Sequence, residues 1–583
     1  MAFEVPRSLG PILVHAITSG ELMNAECEVV EADPDVWCSY DVKIPIDSEA
    51  IELTANIFRS KKLAKEKVKV PVIMCAHPYD NSKLPKLKRA SFGVPQQYRL
   101  IPQNDGKPKF SDITSWESPD PNFWVQNGYA LVNLNLPGYG SSGGKPSVLS
   151  YHQSKCYYEA IEYIGAQPWC TGSVGLNGVS FLAISQFHVA ACKEYNFTAP
   201  PCLKCISPWE GLTDMYRDLM CCGGVREKGF PAFWWATEVK PVISSQDAFL
   251  DMEKCLPLEY LEKHPLFDEF WQEKAAQVQH ISIPMLACSS FSDHNLHTQG
   301  TFRGYERAPS KNKWIYTHRG GKWVEYYKPQ VQQLTLRFMN HFLKGIHDPQ
   351  FAPDTPRCRL EVRSSKDEIY QIRDEADWPI PRTQFTKVFL NAQHKMTMAK
   401  SPKPHTSVEY DADHGYTTFT YTFDQDTELT GYFKVRIHFE ASHDDDGCIF
   451  AVVDKLDKDG KVVHFYGSVG TEKDPVSRGY QKISHRELDP TWSTESQPVY
   501  AHTNEHKLKK GDIVQLDVAM FPQATFFYKN ESVKLTLASY DIAHSAPYHK
   551  ISDPSHRKGK HIIHLGDKYD SYLLLPIIPP ISS

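Results

Sequence analysis

Gly175-Leu176-Asn177-Gly178-Val179-Ser180-Phe181-Leu182-Ala183 holds a serine between a short apolar strand, Ser173 to Leu176, and a run of helix formers, Leu182 to Ala191. A strand that turns this sharply into a helix exposes the serine hydroxyl and opens an anion-binding helix N-terminus beside it. The glycine two residues earlier lets the two backbones approach without a Cβ clash. The stretch therefore reads as a nucleophile elbow. Its fifth position, a glycine in the full Gly-x-Ser-x-Gly signature, is Leu182, and a serine before a helix also serves as an ordinary N-cap, so the rest of the chain has to decide.

The flanking sequence supplies a sheet for the elbow. Val70 to Ala76, Tyr129 to Asn135 and Leu203 to Pro208 are short apolar runs, and Tyr151 to Gln167 carries apolar residues at helical spacing. Such alternation predicts a mostly parallel sheet covered on both faces. Strands resume at Pro284 to Cys288 and Lys313 to Tyr316, followed by an amphipathic helix, PQVQQLTLRFMNHFLKGI, stopped at Gly345. Trp209 to Ile281 carries aromatic residues among helix formers and reads as a helical insertion. Beyond Thr355 alternating segments such as Arg359–Arg363, Tyr432–Phe439 and Ile513–Val518 predict an antiparallel sandwich. The expected fold class is α/β, an α/β-hydrolase core (1–208 and 282–350) with a helical cap (209–281), followed by a C-terminal β-sandwich (351–583).

An α/β-hydrolase needs an acid and a histidine after the nucleophile, each on a loop at the carboxyl end of a strand. Asp293 follows the strand ending at Cys288, and His318 follows the strand ending at Tyr316. Among 25 histidines, His294 and His297 compete for the same role. With His318 as general base, Asp293 fixes its tautomer and stabilises the imidazolium, and the backbone N–H of Phe181 is one oxyanion donor. Trp209, Trp234 and Trp235 are candidates for lining an acyl pocket or for core packing. Glu210, Asp214 and Asp218 either bind a substrate ammonium or face water.

The blocks around the elbow resemble the cocaine esterase and X-Pro dipeptidyl-peptidase family of serine hydrolases. Gln167-Pro168-Trp169 through Phe181 is similar to that family's QPWxxGxVGMxGxSYxG, and Asn135-Leu136-Pro137-Gly138-Tyr139-Gly140-Ser141-Ser142-Gly143-Gly144 resembles its glycine-rich loop. His77-Pro78-Tyr79-Asp80 is similar to its Pro-Tyr turn, which implies that the Tyr79 hydroxyl is the second oxyanion donor. Asp377-Trp378-Pro379, Glu428-Leu429-Thr430-Gly431-Tyr432, Ser484 to Pro490 and His564-Leu565-Gly566 match in the family's C-terminal jelly roll. The resemblance covers about residues 35 to 580. It implies an acyl-enzyme on Ser180, cleaving an ester or amide of a small apolar or aromatic acyl group. An X-Pro dipeptidyl-peptidase, an acyltransferase or cyclase using the same triad, and a catalytically silent ligand-binding protein are the competing readings. Phe181 and Ala183 stand where the family has Tyr and Gly.

Composition narrows the partners. Of 583 residues 41% are apolar and 23% charged, and 64 basic against 70 acidic residues give a net charge of −6 with no basic arm, which argues against nucleic acid. Fourteen scattered cysteines and the lack of a run near 18 apolar residues fit a soluble protein of a reducing compartment, the cytoplasm, away from membranes. The expected partner is a small ester or amide; a homo-oligomer is compatible with the sequence. No cofactor and no metal are called for. Cys202-x-x-Cys205 has no second pair at zinc spacing, Asp444-Asp445-Asp446-Gly447 lacks the remaining ligands of a calcium loop, and Gly138-x-Gly140-x-x-Gly143 is followed by Gly144-Lys145-Pro146 where a dinucleotide-binding helix would open.

Overall fold

A computed structural model describes residues 27–88, 91–93, 106–245, 257–400, 404–467, 471–543, 549–553 and 555–580. Its organising element is a ten-stranded sheet. In chain order the strands are β1 (Val36–Ile46), β2 (Ile51–Ser60), β3 (Val70–His77), β4 (Ala130–Asn135), β5 (Cys170–Val179), β6 (Leu203–Trp209), β7 (Met285–Ser290), β8 (Lys313–His318), β9 (Cys358–Arg363) and β10 (Ile369–Glu375). They lie side by side as β1-β2-β4-β3-β5-β6-β7-β8-β9-β10, antiparallel at the two edges and parallel from β4 to β9. All residues of β3, β4 and β7 are buried, as expected for parallel strands covered on both faces. The order brings the carboxyl ends of β5, β6, β7 and β8 together, and the site is built there.

Helices cover the sheet as the periodicity predicts. Helix α1 (Tyr151–Gly165) starts at Ser150, whose side chain accepts a hydrogen bond from the Gln153 N–H. Helix α2 (Phe181–Val189) follows the elbow. Further along the chain come α3 (Phe230–Trp234), α4 (Thr298–Arg307), α5 (Lys322–Tyr326) and α6 (Pro329–Lys344). Proline opens α6 at its first turn, and Gly345 closes it in the left-handed conformation at φ 67°. One expectation changes. The segment Arg359–Arg363, assigned from sequence to the sandwich, is strand β9 of the core sheet, paired in parallel with β8. Alternation of side chains cannot tell an edge strand of one sheet from a strand of the next.

The C-terminal region is antiparallel. Tyr416–Thr422, Ser532–Ala538, Cys448–Leu456 and Ser477–Lys482 form one sheet in that order. Thr406–Asp411, Lys560–Leu565, Lys434–Ala441 and Val514–Ala519 are paired in a second. Phe419, Ile449 and Leu535 of the first pack with Ile437, Leu516 and Ile563 of the second in one apolar core. The segment after β6 contains short helical turns and also a hairpin, Cys221–Cys222 against Val225–Arg226, that the helical reading did not foresee. It ties the two halves together: Arg217 donates to the carbonyls of Tyr500 and Ala501, and Glu227 accepts from the Lys550 N–H and pairs with His549.

The rejected motifs have structural employment. The Asp446 carboxylate accepts from Ser484 and pairs with Lys507, and Cys205 packs on Met339. The Gly143 N–H donates to the Glu52 carbonyl, which docks the glycine loop on β2. Among the described residues no group of three or more His, Cys, Asp or Glu side chains is placed to hold a metal ion, and no helix is long and apolar enough to cross a membrane.

Candidate active site

Ser180 sits between β5 and α2 at φ 58°, ψ −119°, a conformation that costs a non-glycine residue of order 1–3 kcal/mol and persists only when its surroundings enforce it. Two contacts do so. The Ser180 N–H points at the carbonyls of Trp209 (3.1 Å) and Glu210 (3.2 Å) at the end of β6. Gly178 lies at φ 148°, and a Cβ there would come 2.6 Å from the Cβ of Leu182, so the crossing of strand and helix requires glycine. Ala183, one residue beyond the signature's fifth position, is accommodated across the interface by a glycine: a Cβ on Gly211 would meet the Ala183 methyl at 3.0 Å.

The serine hydroxyl has a histidine. Ser180 Oγ lies 3.2 Å from Nε2 of His297, and Nδ1 of that ring lies 2.5 Å from Oδ2 of Asp293. Asp293 and His297 occupy one turn between β7 and α4, with the His297 N–H bonded back to the Asp293 carbonyl. The Nδ1–H is donated to the carboxylate, which leaves the Nε2 lone pair facing Ser180. Burial opposes ionisation of Asp293, but the Lys322 ammonium, 2.6 Å from Oδ2, and His297 hold its carboxyl well below the usual range. Burial and the same ammonium lower the basicity of His297, against the pull of Asp293.

His318 is elsewhere. Its Nε2 lies 3.0 Å from Oε1 of Glu210, its ring stacks on Trp209, and its Nδ1 receives the Gly320 N–H. The Glu210 hydrogen bond and charge raise its basicity in spite of burial. The structure thus brings Ser180 and Asp293 together with His297, where the sequence reading placed His318. Strand order put both histidines at the same rim, but β8 aims His318 toward the end of β6. His294, the other competitor, stacks on Phe521 and faces Asp474 in the C-terminal region.

On the other side of Ser180 stands Tyr79, 2% exposed. Its hydroxyl accepts from the Trp234 indole at 3.2 Å. Burial and the Glu117 carboxyl push the phenol well above its ordinary value, with the Trp234 and Ser180 hydrogen bonds opposing. It therefore stays protonated as a donor. Phe181 opens α2, so its N–H has no acceptor within the helix. The Phe181 ring stacks on Trp234 and meets Tyr79 edge-on. Trp235 is buried in the core, and Trp209 packs beneath the site against Tyr316, His318 and Tyr326.

The carboxylates proposed as an ammonium site are committed elsewhere. Glu210 holds His318, Asp214 holds Arg217, and Asp218 holds Arg303 and the N–H groups of Thr213 and Asp214. None faces open water as an entrance acid: each is less than 10% exposed. Glu117, which the sequence reading missed, accepts from the Trp323 indole, and burial raises its carboxyl to about 8.

The chain has relatives among known proteins. A CocE/NonD family hydrolase from Staphylococcus aureus has 32% sequence identity to this chain, covers 93% of it with 94% of its own length, and superposes at a TM-score of 0.82. The chain belongs to the CocE/NonD hydrolase family. The X-Pro dipeptidyl-peptidase (S15 family) profile matches residues 49–323, and the X-Pro dipeptidyl-peptidase C-terminal non-catalytic domain matches residues 350–574. Cocaine esterase from Rhodococcus sp. (strain MB1 Bresler) is 24% identical over 333 residues, 48% of this chain and 55% of that enzyme. An α-amino acid ester hydrolase, 14% identical, shares the fold over 94% of this chain and 98% of its own at a TM-score of 0.67. This CocE/NonD member is accordingly a hydrolase of the serine peptidase and esterase class, with an α/β-hydrolase core and a strand-rich C-terminal domain.

Proposed function

We propose that this chain cleaves an ester or amide of a small apolar or aromatic acyl group through an acyl-enzyme on Ser180, with His297 as general base, Asp293 as its orienting acid, and Tyr79 and the Phe181 N–H as oxyanion donors. The observation that carries the reading is the strained Ser180 whose Oγ lies 3.2 Å from Nε2 of His297, itself 2.5 Å from Asp293. As Oγ attacks the carbonyl carbon, its proton passes to Nε2, and the carbonyl π electrons move to oxygen. That oxyanion receives the Tyr79 O–H and the Phe181 N–H. Collapse expels the alcohol or amine with the proton from Nε2. Water, deprotonated by the same nitrogen, then releases the acid and restores the serine.

The aromatic faces of Phe181 and Trp234 beside Tyr79 support an apolar acyl group. Fluorophosphonate labelling of wild type and Ser180→Ala, followed by a panel of aryl esters and prolyl amides, tests the reading. Labelling in wild type and its loss in the variant are expected. A wild type that resists labelling contradicts it.

A further inference from the structure

Lys322 is the first residue of α5, directly after the turn that follows β8. Its side chain is 3% exposed, and its ammonium lies 2.6 Å from Asp293 Oδ2 and 2.9 Å from His297 Nδ1. Asp293 Oδ2 therefore has both the Lys322 ammonium and the His297 Nδ1–H directed at it. In a serine–histidine–carboxylate set the carboxylate's work is to favour the imidazolium that forms when the base takes the serine proton. Here a fixed cation already occupies that oxygen. When Nε2 gains its proton, the ring becomes a second cation within 3 Å of the first, in a setting that excludes water and screens little.

We propose, building on the assignment of His297 as the base, that Lys322 is a positioning residue: its ammonium pins Asp293 Oδ2 and offsets the carboxylate's charge, so that the imidazolium of His297 is a stronger acid than Asp293 alone would make it. The surrounding charges define how far this goes. Glu210 faces the pair from the end of β6 and, with Asp293, acts to keep Lys322 charged despite its burial; Glu117 faces it from the loop between β3 and β4, where burial raises its carboxyl to about 8, so that it is neutral in acidic solution. Glu238 lies on the side of Tyr79 and Glu117. His318 is held on Glu210, and His294 on the far side of the Asp293 loop is directed to Asp474, Arg319 and Arg478. Lys322 is therefore the cation nearest His297 among the described residues, and its charge is the one that bears directly on the base. The consequence is functional: the neutral imidazole needed for attack persists into mildly acidic solution, and the imidazolium gives its proton readily to the leaving group.

The test is the pH dependence of fluorophosphonate labelling of Ser180, and of kcat/KM for an aryl ester, in wild type and Lys322→Met, which keeps the length of the chain and removes the charge. The wild-type ascending limb is expected below the ordinary histidine value of about 6.5. In Lys322→Met it is expected to move up by about one to two pH units, seen as labelling ten- to a hundredfold slower below both limbs and nearly equal above them. An unchanged limb, or one moved down, overturns the role of Lys322 while labelling itself leaves the serine-hydrolase reading intact. Should the variant not fold, the wild-type profile decides: an ascending limb above the ordinary histidine value overturns the inference. A wild type that does not label at all overturns the underlying reading and the inference with it.

Discussion

Replacing Gly178 by alanine puts a methyl group 2.6 Å from Leu182 Cβ and 3.0 Å from Leu182 Cδ2, at a backbone φ of 148°. Forcing one methyl into a packed interface costs about 1–3 kcal/mol, and holding an L-residue in a disfavoured backbone region about 1–3 kcal/mol more. The sum, roughly 2–6 kcal/mol before relaxation, is a large part of the 5–15 kcal/mol that keeps a domain folded. Relaxation has one direction open: the start of α2 moves off β5, which carries Ser180 away from His297. The expected result is a lowered apparent melting temperature together with slower fluorophosphonate labelling. Gly172→Ala is the control, because Gly172 has φ 83° but no atom within 4 Å of a built Cβ. It suffers the backbone term alone, about 1–2 kcal/mol, and labels at the wild-type rate. Equal losses of stability in the two variants, or wild-type labelling by Gly178→Ala, would refute the reasoning that contact with Leu182 fixes the elbow.

Three further outcomes follow from the site. Tyr79→Phe removes the hydroxyl proposed as an oxyanion donor and leaves the ring packing on Phe181, so kcat is expected to fall about 10²–10³-fold with little change in KM; steady-state kinetics on an aryl ester checks this. Arg303→Ala leaves the Asp218 carboxylate buried without its cation, at a cost of about 3–5 kcal/mol read by urea unfolding. Burial raises the Glu117 carboxyl to about 8 from an unfolded value of 4.5. The folded state then holds a proton that the unfolded chain has released, and stability falls as pH rises between those two values. Glu117→Gln removes this slope and is expected to melt higher than wild type at pH 8; parallel melting-temperature profiles from pH 5 to 8 would contradict the assignment.

The elbow was legible because its demands are local. Gly178 and Ser180 are imposed by the crossing of one strand with the next helix, and apolar runs such as Val70–Ala76 announce the buried strands around it. Asp293 was legible for a related reason, as an acid directly after a strand. The choice of histidine was not, because His294, His297 and His318 all follow strands that end at the same rim. Which ring reaches Ser180 depends on side-chain direction in the folded loops. The four-residue spacing of Asp293 and His297 on one turn was the available signal. Lys322 and Glu117 carried no sequence signal, and Glu210 was singled out only as an ammonium-binding or solvent-facing acid: these groups matter because three separate loops bury them together. Strand β9 was misplaced because its alternation fits either sheet.

The most direct test of the account compares His297→Ala with His318→Gln in the labelling of Ser180 and in aryl ester turnover at neutral pH. His297→Ala is expected to fall about 10²–10⁴-fold, the worth of a general base, and His318→Gln, whose amide keeps a donor for Glu210, to fall within about tenfold. Full turnover by His297→Ala with loss of labelling in His318→Gln would contradict it.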